Sequence, residues 1–221
     1  MTAKEKFIEE KDELKTSRMN RILQAAFSLF SQKGIDTIAM TDIAKKAEIG
    51  VASLYRYYET KDEIAIRTVI WAWEREKEAI LPDLTSGNYE NLTGIEEIKV
   101  IFDEFIKLYE NSQDFLRFIY FFDSYAVRTN ISKERLADYE SIITFVQNLV
   151  TKAISKGLED KTISQDFRKY ENSLYFSLMH SFFSTCQKLS LSGNMLKMDE
   201  IISGKSQLEI LSKIIIQGIK N

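Results

Sequence analysis

Apolar residues recur every three to four positions along most of the chain, the spacing of helices with one buried face. Ile22, Ala25, Ala26, Leu29 and Phe30 fall at i, i+3, i+4, i+7 and i+8, and Leu23 and Phe27 widen that stripe. With Gly34 placed as a stop, the pattern predicts a first helix over Thr16 to Lys33. Two short helices follow, Thr41 to Ala47 and Val51 to Tyr58, joined through Glu48, Ile49 and Gly50, a connection of the length that sets two helices at a steep angle. Thr60 with Glu63 three residues on reads as a capping box opening a fourth helix, Lys61 to Leu81, which Pro82 is expected to end. Pro82 to Thr93 is the most loop-like stretch. Helical spacing resumes at Ile98, Ile101, Phe102, Phe105, Ile106 and Tyr109, and again at Phe115, Phe118, Ile119 and Phe122. Lys133 to Lys156 (stopped by Gly157), Phe167 to about Leu191 (stopped near Gly193) and Gln207 to Ile219 complete about nine helices.

Composition sharpens this to an all-α fold. Only 8 Gly and 1 Pro punctuate the 221 residues, too few turn breakers for a sheet protein. No apolar run approaches the length of about 18 residues that spans a bilayer. The charged N-terminus lacks the apolar stretch of a secretory signal, so a cytoplasmic chain without a membrane partner is expected. Cys186 is the only thiol and His180 the only imidazole, which excludes a Cys-rich or His-rich metal site and leaves acid–base catalysis short of groups. The phosphate-cradling patterns G-x-G-x-x-G and G-x-x-x-x-G-K do not occur, and no cofactor is expected.

Charge is unevenly spread under a net −3. Lys15 to Lys61 carries eight Lys or Arg against four Asp or Glu, residues 1–14 carry three against five, and Asp62 to Asn221 carries 19 against 24. A basic segment on an acidic body is the asymmetry of a small nucleic-acid-binding module joined to something else. The second short helix fits that role. Leu54 and Tyr58, four apart, face inward, while Ala52, Ser53, Arg56 and Tyr57 share the opposite side. Small residues at its N-terminal end let the helix approach base edges, where Val51 or Ala52 can touch a thymine methyl, and Arg56 suits a guanine edge or a phosphate. Lys61 and the free N–H groups opening the next helix suit a phosphate.

Gly34-Ile-Asp-Thr-Ile-Ala-Met-Thr-Asp-Ile-Ala-Lys-Lys-Ala, followed by Leu54-Tyr-Arg-Tyr-Tyr-Glu-Thr-Lys-Asp-Glu-Ile64, resembles the signature of the TetR family of bacterial transcriptional regulators over residues 16–64. The resemblance implies a sequence-specific homodimeric regulator, a ligand-responsive repressor, whose N-terminal three-helix helix-turn-helix domains read a palindromic operator in double-stranded DNA, with a C-terminal helical effector-binding and dimerisation domain. The expected division is a charged arm over 1–15, a DNA-binding domain over 16–64 and the remaining domain over 65–221. Carried over by position, Thr41, Gly50, Val51, Ala52, Ser53, Tyr55, Arg56, Tyr57 and Lys61 sit at DNA-contacting places.

Three residues depart from the family pattern. Glu48 stands where glycine is usual in the turn; a positive φ there costs a bulky residue on the order of 1 kcal/mol. Gly50 stands where a serine cap is common, and Ile38 replaces a threonine before the second helix, so that helix loses a capping oxygen. Val51 takes a commonly basic position.

Aromatic density marks the rest of the chain, with Phe115, Phe118, Tyr120, Phe121, Phe122 and Tyr125 within eleven residues. As a group these fit a core or a pocket for an apolar or aromatic small molecule. Phe102, Phe105, Phe118, Phe122, Phe145, Tyr175 and Met179 are the expected lining, and Leu174, Leu178, Ile210, Leu211, Ile214 and Ile215 the expected dimer stripes. His180 is expected to be an interior histidine and Cys186 a small buried hydrophobe. Trp71 and Trp73, two apart, cannot share a helix face. Residues 1–14 are expected to form a partly helical, exposed arm. Two rival functions remain at this point: a helical small-molecule enzyme retaining the N-terminal fold, and a protein-interaction module.

Overall fold

The computed structural model describes residues 2–85, 91–193 and 195–221. Nine α-helices occur among them: α1 Ala3–Lys33, α2 Met40–Lys46, α3 Val51–Tyr57, α4 Lys61–Thr85, α5 Gly94–Asn111, α6 Gln113–Arg128, α7 Ala137–Glu159, α8 Glu171–Ser192 and α9 Gly204–Ile219. The all-α expectation holds, and the boundaries differ where local chemistry differs from the pattern. Helix α1 begins at Ala3 because Thr2 caps it and Glu5 reaches back to the Thr2 N–H at 2.6 Å. Its first four to five turns lie outside any core, and Phe7 and Leu14 stand exposed on them. Helix α4 runs past Pro82 to Thr85, so the proline does not end it. Of the predicted loop, residues 86–90 lie outside the described residues.

Gly157 does not stop α7. It lies inside the helix at a crossing with the first turn of α5, where a Cβ built on Gly94 would come within 2.0 Å of the Gly157 nitrogen. Two glycines let these backbones touch. Short 3-10 turns, Lys133–Leu136 and Gln165–Tyr170, precede α7 and α8, so both α-helices start a few residues later than their apolar stripes.

The chain forms two compact units, and neither is a continuous segment. The first takes Met1–Trp73 and Phe118–Tyr139, the second Glu74–Arg117 and Glu140–Asn221. The reason residues 118–139 join the first unit is visible at Phe118. Its fully buried ring stacks on Phe30 at 6.1 Å and meets the edge of Phe27 at 5.5 Å, making α6 part of the same core as Ile22, Ala26, Ile43, Leu54 and Ile64. In the second unit α9 packs on α5 and α8, and Phe102 stacks on Phe182 at 4.3 Å. The chain end is held by backbone bonds from Ser164 to Ile219 (2.9 Å) and from Asn221 to Thr162 (3.1 Å).

Candidate nucleic-acid interface

Helices α1, α2 and α3 build the interface from the first unit. Ala39 is the N-cap of α2 and offers no side-chain acceptor; Asp42 accepts from its N–H at 2.9 Å, so only half of a capping box exists. Ile38 is buried instead of capping. At the other end of α2, Ile49 N–H bonds Ala44 carbonyl at 3.0 Å and Glu48 N–H bonds Lys45 carbonyl at 3.2 Å, the pairing of a Schellman cap. That cap needs a left-handed residue, and Glu48 supplies it at φ 54°. The strained turn expected from the sequence is present.

The turn delivers α3 with Gly50 as its N-cap and no side-chain cap bond. Leu54 is fully buried and Tyr58 nearly so, fixing the helix face that points inward. Burial pushes the Tyr58 phenol up to about 12, with the Glu63 carboxylate adding to the shift and Arg67 opposing it. The opposite side is open: Thr41, Gly50, Val51, Ala52, Tyr55 and Arg56 are exposed, and Ser53 and Tyr57 half-buried. Arg56 Nη2 donates to Ser53 Oγ at 2.9 Å, which lays the guanidinium back along the helix toward its N-terminal end.

Lys61 departs from the expectation. Its ammonium donates to the carbonyl oxygens of Ile35, Asp36 and Ile38 at 3.0, 3.1 and 3.2 Å, and lies 5.8 Å from the centre of the Tyr125 ring. A lysine has three donors, and all three are used here. The side chain ties the start of α4 to the α1–α2 connection and is not held out for a phosphate. Thr60 caps α4 as expected, accepting from Glu63 N–H at 3.2 Å, while the Glu63 carboxylate reaches one residue further back, to Glu59 N–H at 3.0 Å.

Segment 118–139 of this unit carries groups that sequence reading missed. Tyr125 Oη donates to Asp62 at 2.6 Å, Arg135 pairs with the same carboxylate at 3.2 Å, Arg67 pairs with Asp138 at 3.1 Å, and Arg128 pairs with Asp36. Nothing in the spacing of these residues links positions 60 to 90 apart. Burial pushes the Tyr125 phenol above its usual range, and its bond to Asp62 adds to that.

The other expected sites are distributed as follows. Phe118 and Phe122 are buried in the first unit. Phe102, Phe105 and Met179 are buried in the second unit; Phe145, under the Lys77 ammonium at 4.2 Å, and Tyr175 are half-buried there. Leu174 and Leu178 are buried in the monomer, so they do not present a dimer stripe. The exposed side of α8 carries Phe176 and His180, whose rings lie 6.0 Å apart, and His180 is thus a surface and not an interior histidine. On α9, Ile210 and Ile214 are exposed and Leu211 and Ile215 half-buried. Cys186 is buried, and burial pushes its thiol up to about 12. Trp73 is buried and Trp71 half-buried, as their spacing requires.

Residues 22–68 match the family model described as bacterial regulatory proteins, tetR family. The chain is 24% identical over 159 residues, 72% of its own length and 79% of the relative's, to the biofilm operon icaADBC HTH-type negative transcriptional regulator IcaR of Staphylococcus aureus strain Newman. Its fold is similar to that of a TetR family transcription regulator from Marinobacter aquaeolei VT8, with a TM-score of 0.67 at 16% identity over 95% of this chain and 99% of that one. It is also similar to the transcriptional regulator FadR of Bacillus subtilis, determined in complex with stearoyl-CoA, with a TM-score of 0.58 at 16% identity over 90% and 98% of the two chains.

Proposed function

Since the chain belongs to the TetR family of bacterial regulatory proteins and is a DNA-binding transcriptional regulator, we propose that it acts as a homodimeric repressor, released from a palindromic operator by a small apolar or aromatic effector. The observation that carries this reading is α3: buried through Leu54 and Tyr58, open along Val51, Ala52, Tyr55 and Arg56, and set by the Glu48 turn. A helix with small residues at its leading end and an arginine one turn behind enters the major groove, with the small residues against base edges. Thr41, Gly50, Val51, Ala52, Ser53, Tyr55, Arg56 and Tyr57 form the DNA-reading set, and Lys61 supports it from within.

The dimer face proposed here is carried by exposed apolar residues of the second unit, Phe176 on α8 and Ile210 and Ile214 on α9. Two-fold symmetry then matches a palindrome whose half-sites lie about one helical turn, or a multiple, apart. For the effector to release DNA it must bind the DNA-incompetent state more tightly, with coupling of about 1–3 kcal/mol.

Selection of bound duplexes from a random pool by the full chain tests this. The expected result is one palindrome bound about 10³-fold more tightly than a scrambled duplex at a stated salt concentration. Failure to enrich any sequence at low and moderate salt overturns the reading.

A further inference from the structure

Three basic residues share one side of the part of α1 that lies outside the core. Lys11, Lys15 and Arg18 follow one another at steps of four and three residues, and all are exposed. Among the described residues no carboxylate is paired with any of them. That spacing stacks like charges one turn apart, where they repel along a helix. The acids of the same turns lie elsewhere. Glu5, Glu9, Asp12 and Glu13 line a separate stretch of the helix surface with Thr16 and Asn20, and none of the three basic residues belongs to it. Residues 1–14 carry more acid than base, yet the basic row stands apart from that acid.

The row points the same way as the side of α1 that meets α2. Lys11 and Lys15 precede Leu29 and Lys33 by eighteen residues, five whole turns, so each pair shares a direction. Leu29 and Lys33 line a groove of about 610 Å³ together with Lys45 and Lys46 of α2. Asp42, the acid of that groove, already accepts the Ala39 N–H at 2.9 Å. Lys33, Lys45 and Lys46 are exposed, and α2 in turn packs on α3. Cationic side chains therefore follow one side of α1 from its outer turns to the helix pair that carries the reading face, over about 33 Å between Lys11 and Lys33.

This track is complementary to a nucleic-acid backbone. A duplex carries one negative charge about every 1.7 Å of its axis, and its phosphates continue past the base pairs that a single helix reads. A helix lying in a membrane surface needs a continuous apolar face, and Phe7 and Leu14 do not make one.

We propose that Lys11, Lys15 and Arg18 hold the phosphate backbone of the duplex that α3 reads, outside the base pairs α3 contacts, and that Lys33, Lys45 and Lys46 continue this contact toward α2. This rests on the reading of α3 as the DNA-reading helix and adds to it a second contact that is independent of sequence. The turns from Ala3 to Arg18 extend about 24 Å, the length of about seven base pairs. They supply affinity and orientation without specificity.

The test titrates the full chain with the selected duplex, carrying flanking sequence on both sides, over a range of salt. It compares the natural protein, Lys11→Gln/Lys15→Gln/Arg18→Gln, and a charge-matched control, Lys99→Gln/Lys152→Gln/Lys197→Gln, whose lysines are exposed in the second unit. At about 0.9 per phosphate contact, the arm variant is expected to lower the slope of log affinity against log salt by about 5 for a dimer, and the control by less than about 1. Preference for the selected duplex over a scrambled one should stay within about twofold, because phosphate contacts weaken all sequences alike. A hydroxyl-radical footprint should show backbone positions protected by the natural protein and open with the arm variant. A slope lowered by less than about 2, or lowered equally by the control, overturns the proposal, as does a lost preference or an unchanged footprint. An unchanged slope with retention on phosphatidylserine vesicles that the arm variant loses overturns it in favour of a membrane surface. Should the triple variant not fold, Lys11→Gln and Arg18→Gln made singly are each expected to lower the slope by about 2, and an unchanged slope in both overturns the proposal. Enrichment of no duplex by the natural protein contradicts the regulator reading, whereas a selected duplex bound with the same slope by natural protein and arm variant contradicts only the backbone contact.

Discussion

The Lys61 ammonium donates to the Ile35 carbonyl oxygen at 3.0 Å, joining the first residue of α4 to the end of the α1 turn 26 residues earlier. With the neighbouring carbonyls of Asp36 and Ile38 it closes the connection that aims α2. Lys61→Met is expected to lower stability by about 2 kcal/mol, the scale of a charge-assisted bond lost from a partly buried site. DNA affinity should fall with it, while the slope of log affinity against log salt stays unchanged. A lysine on a phosphate would lower that slope by about 0.9. Salt titrations of the natural protein and the variant, with thermal unfolding alongside, decide between the two.

Arg56 is the contrasting case. Its only hydrogen bond among the described residues is to Ser53, on the exposed side of α3. Arg56→Ala should leave the unfolding midpoint within about 1 °C, since exposed contacts contribute little. Operator affinity should fall by about 1–3 kcal/mol, the value of one arginine contact to a base edge. Gel-shift titration with the selected duplex measures it.

Glu48 occupies the left-handed position of the α2 cap at φ 54°. Glu48→Gly relieves that conformation and is expected to stabilise the chain by about 1 kcal/mol. Denaturant unfolding with an unchanged slope checks this. A loss of stability would show that the Glu48 side chain makes a compensating contact.

Asp123 gives a pH dependence with a definite sign. Its folded-state value, about 6, is above the ordinary 3.8, so the folded chain holds a proton that the unfolded chain releases. Its contribution to stability is present below the ordinary value and is lost as pH rises through about 6. Asp123→Asn should therefore match the natural protein near pH 3.5 and unfold at a higher temperature than it does at pH 7.5. Solvent access to the carboxylate reduces the size of the gap without changing its direction.

The buried Ile163 side chain, just beyond α7, crowds Gly157, where a Cβ would come within 2.5 Å of Ile163 Cδ1. Gly157→Ala is expected to cost about 1–3 kcal/mol through overpacking, against any gain in helix propensity. Calorimetric unfolding would show it as a midpoint about 2–10 °C lower.

What the sequence made legible was local. The stripe of α1, the steep α2–α3 connection, the inward placing of Leu54 and Tyr58 and the strain at Glu48 all follow from neighbours within a few residues, and periodicity and cap chemistry report such relations directly. Phe118 shows where that ends. Its spacing marks a buried helix face, but whether the face covers a ligand or the rings of Phe27 and Phe30 depends on tertiary pairing across about 90 positions. Position in a motif points Lys61 toward a phosphate, but its donors are spent on carbonyls that no local pattern identifies as neighbours. On α8 and α9 the apolar stripes are wider than one face, so the side turned outward, Phe176 and not Leu174 or Leu178, is chosen by packing.

The first unit is completed by residues 118–139, from the middle of the chain. On the ribosome its helix-turn-helix emerges well before residues 118–139, and until they are made it lacks Phe118 to close its core and Arg128 and Tyr125 to brace its connection. At about 5–20 residues per second, that is a wait of several seconds during which Phe27 and Phe30 lack the Phe118 ring. The helices of the proposed DNA-reading face are made before the segment that completes their packing, so a nascent chain is biased against engaging DNA before residues 118–139 are in place.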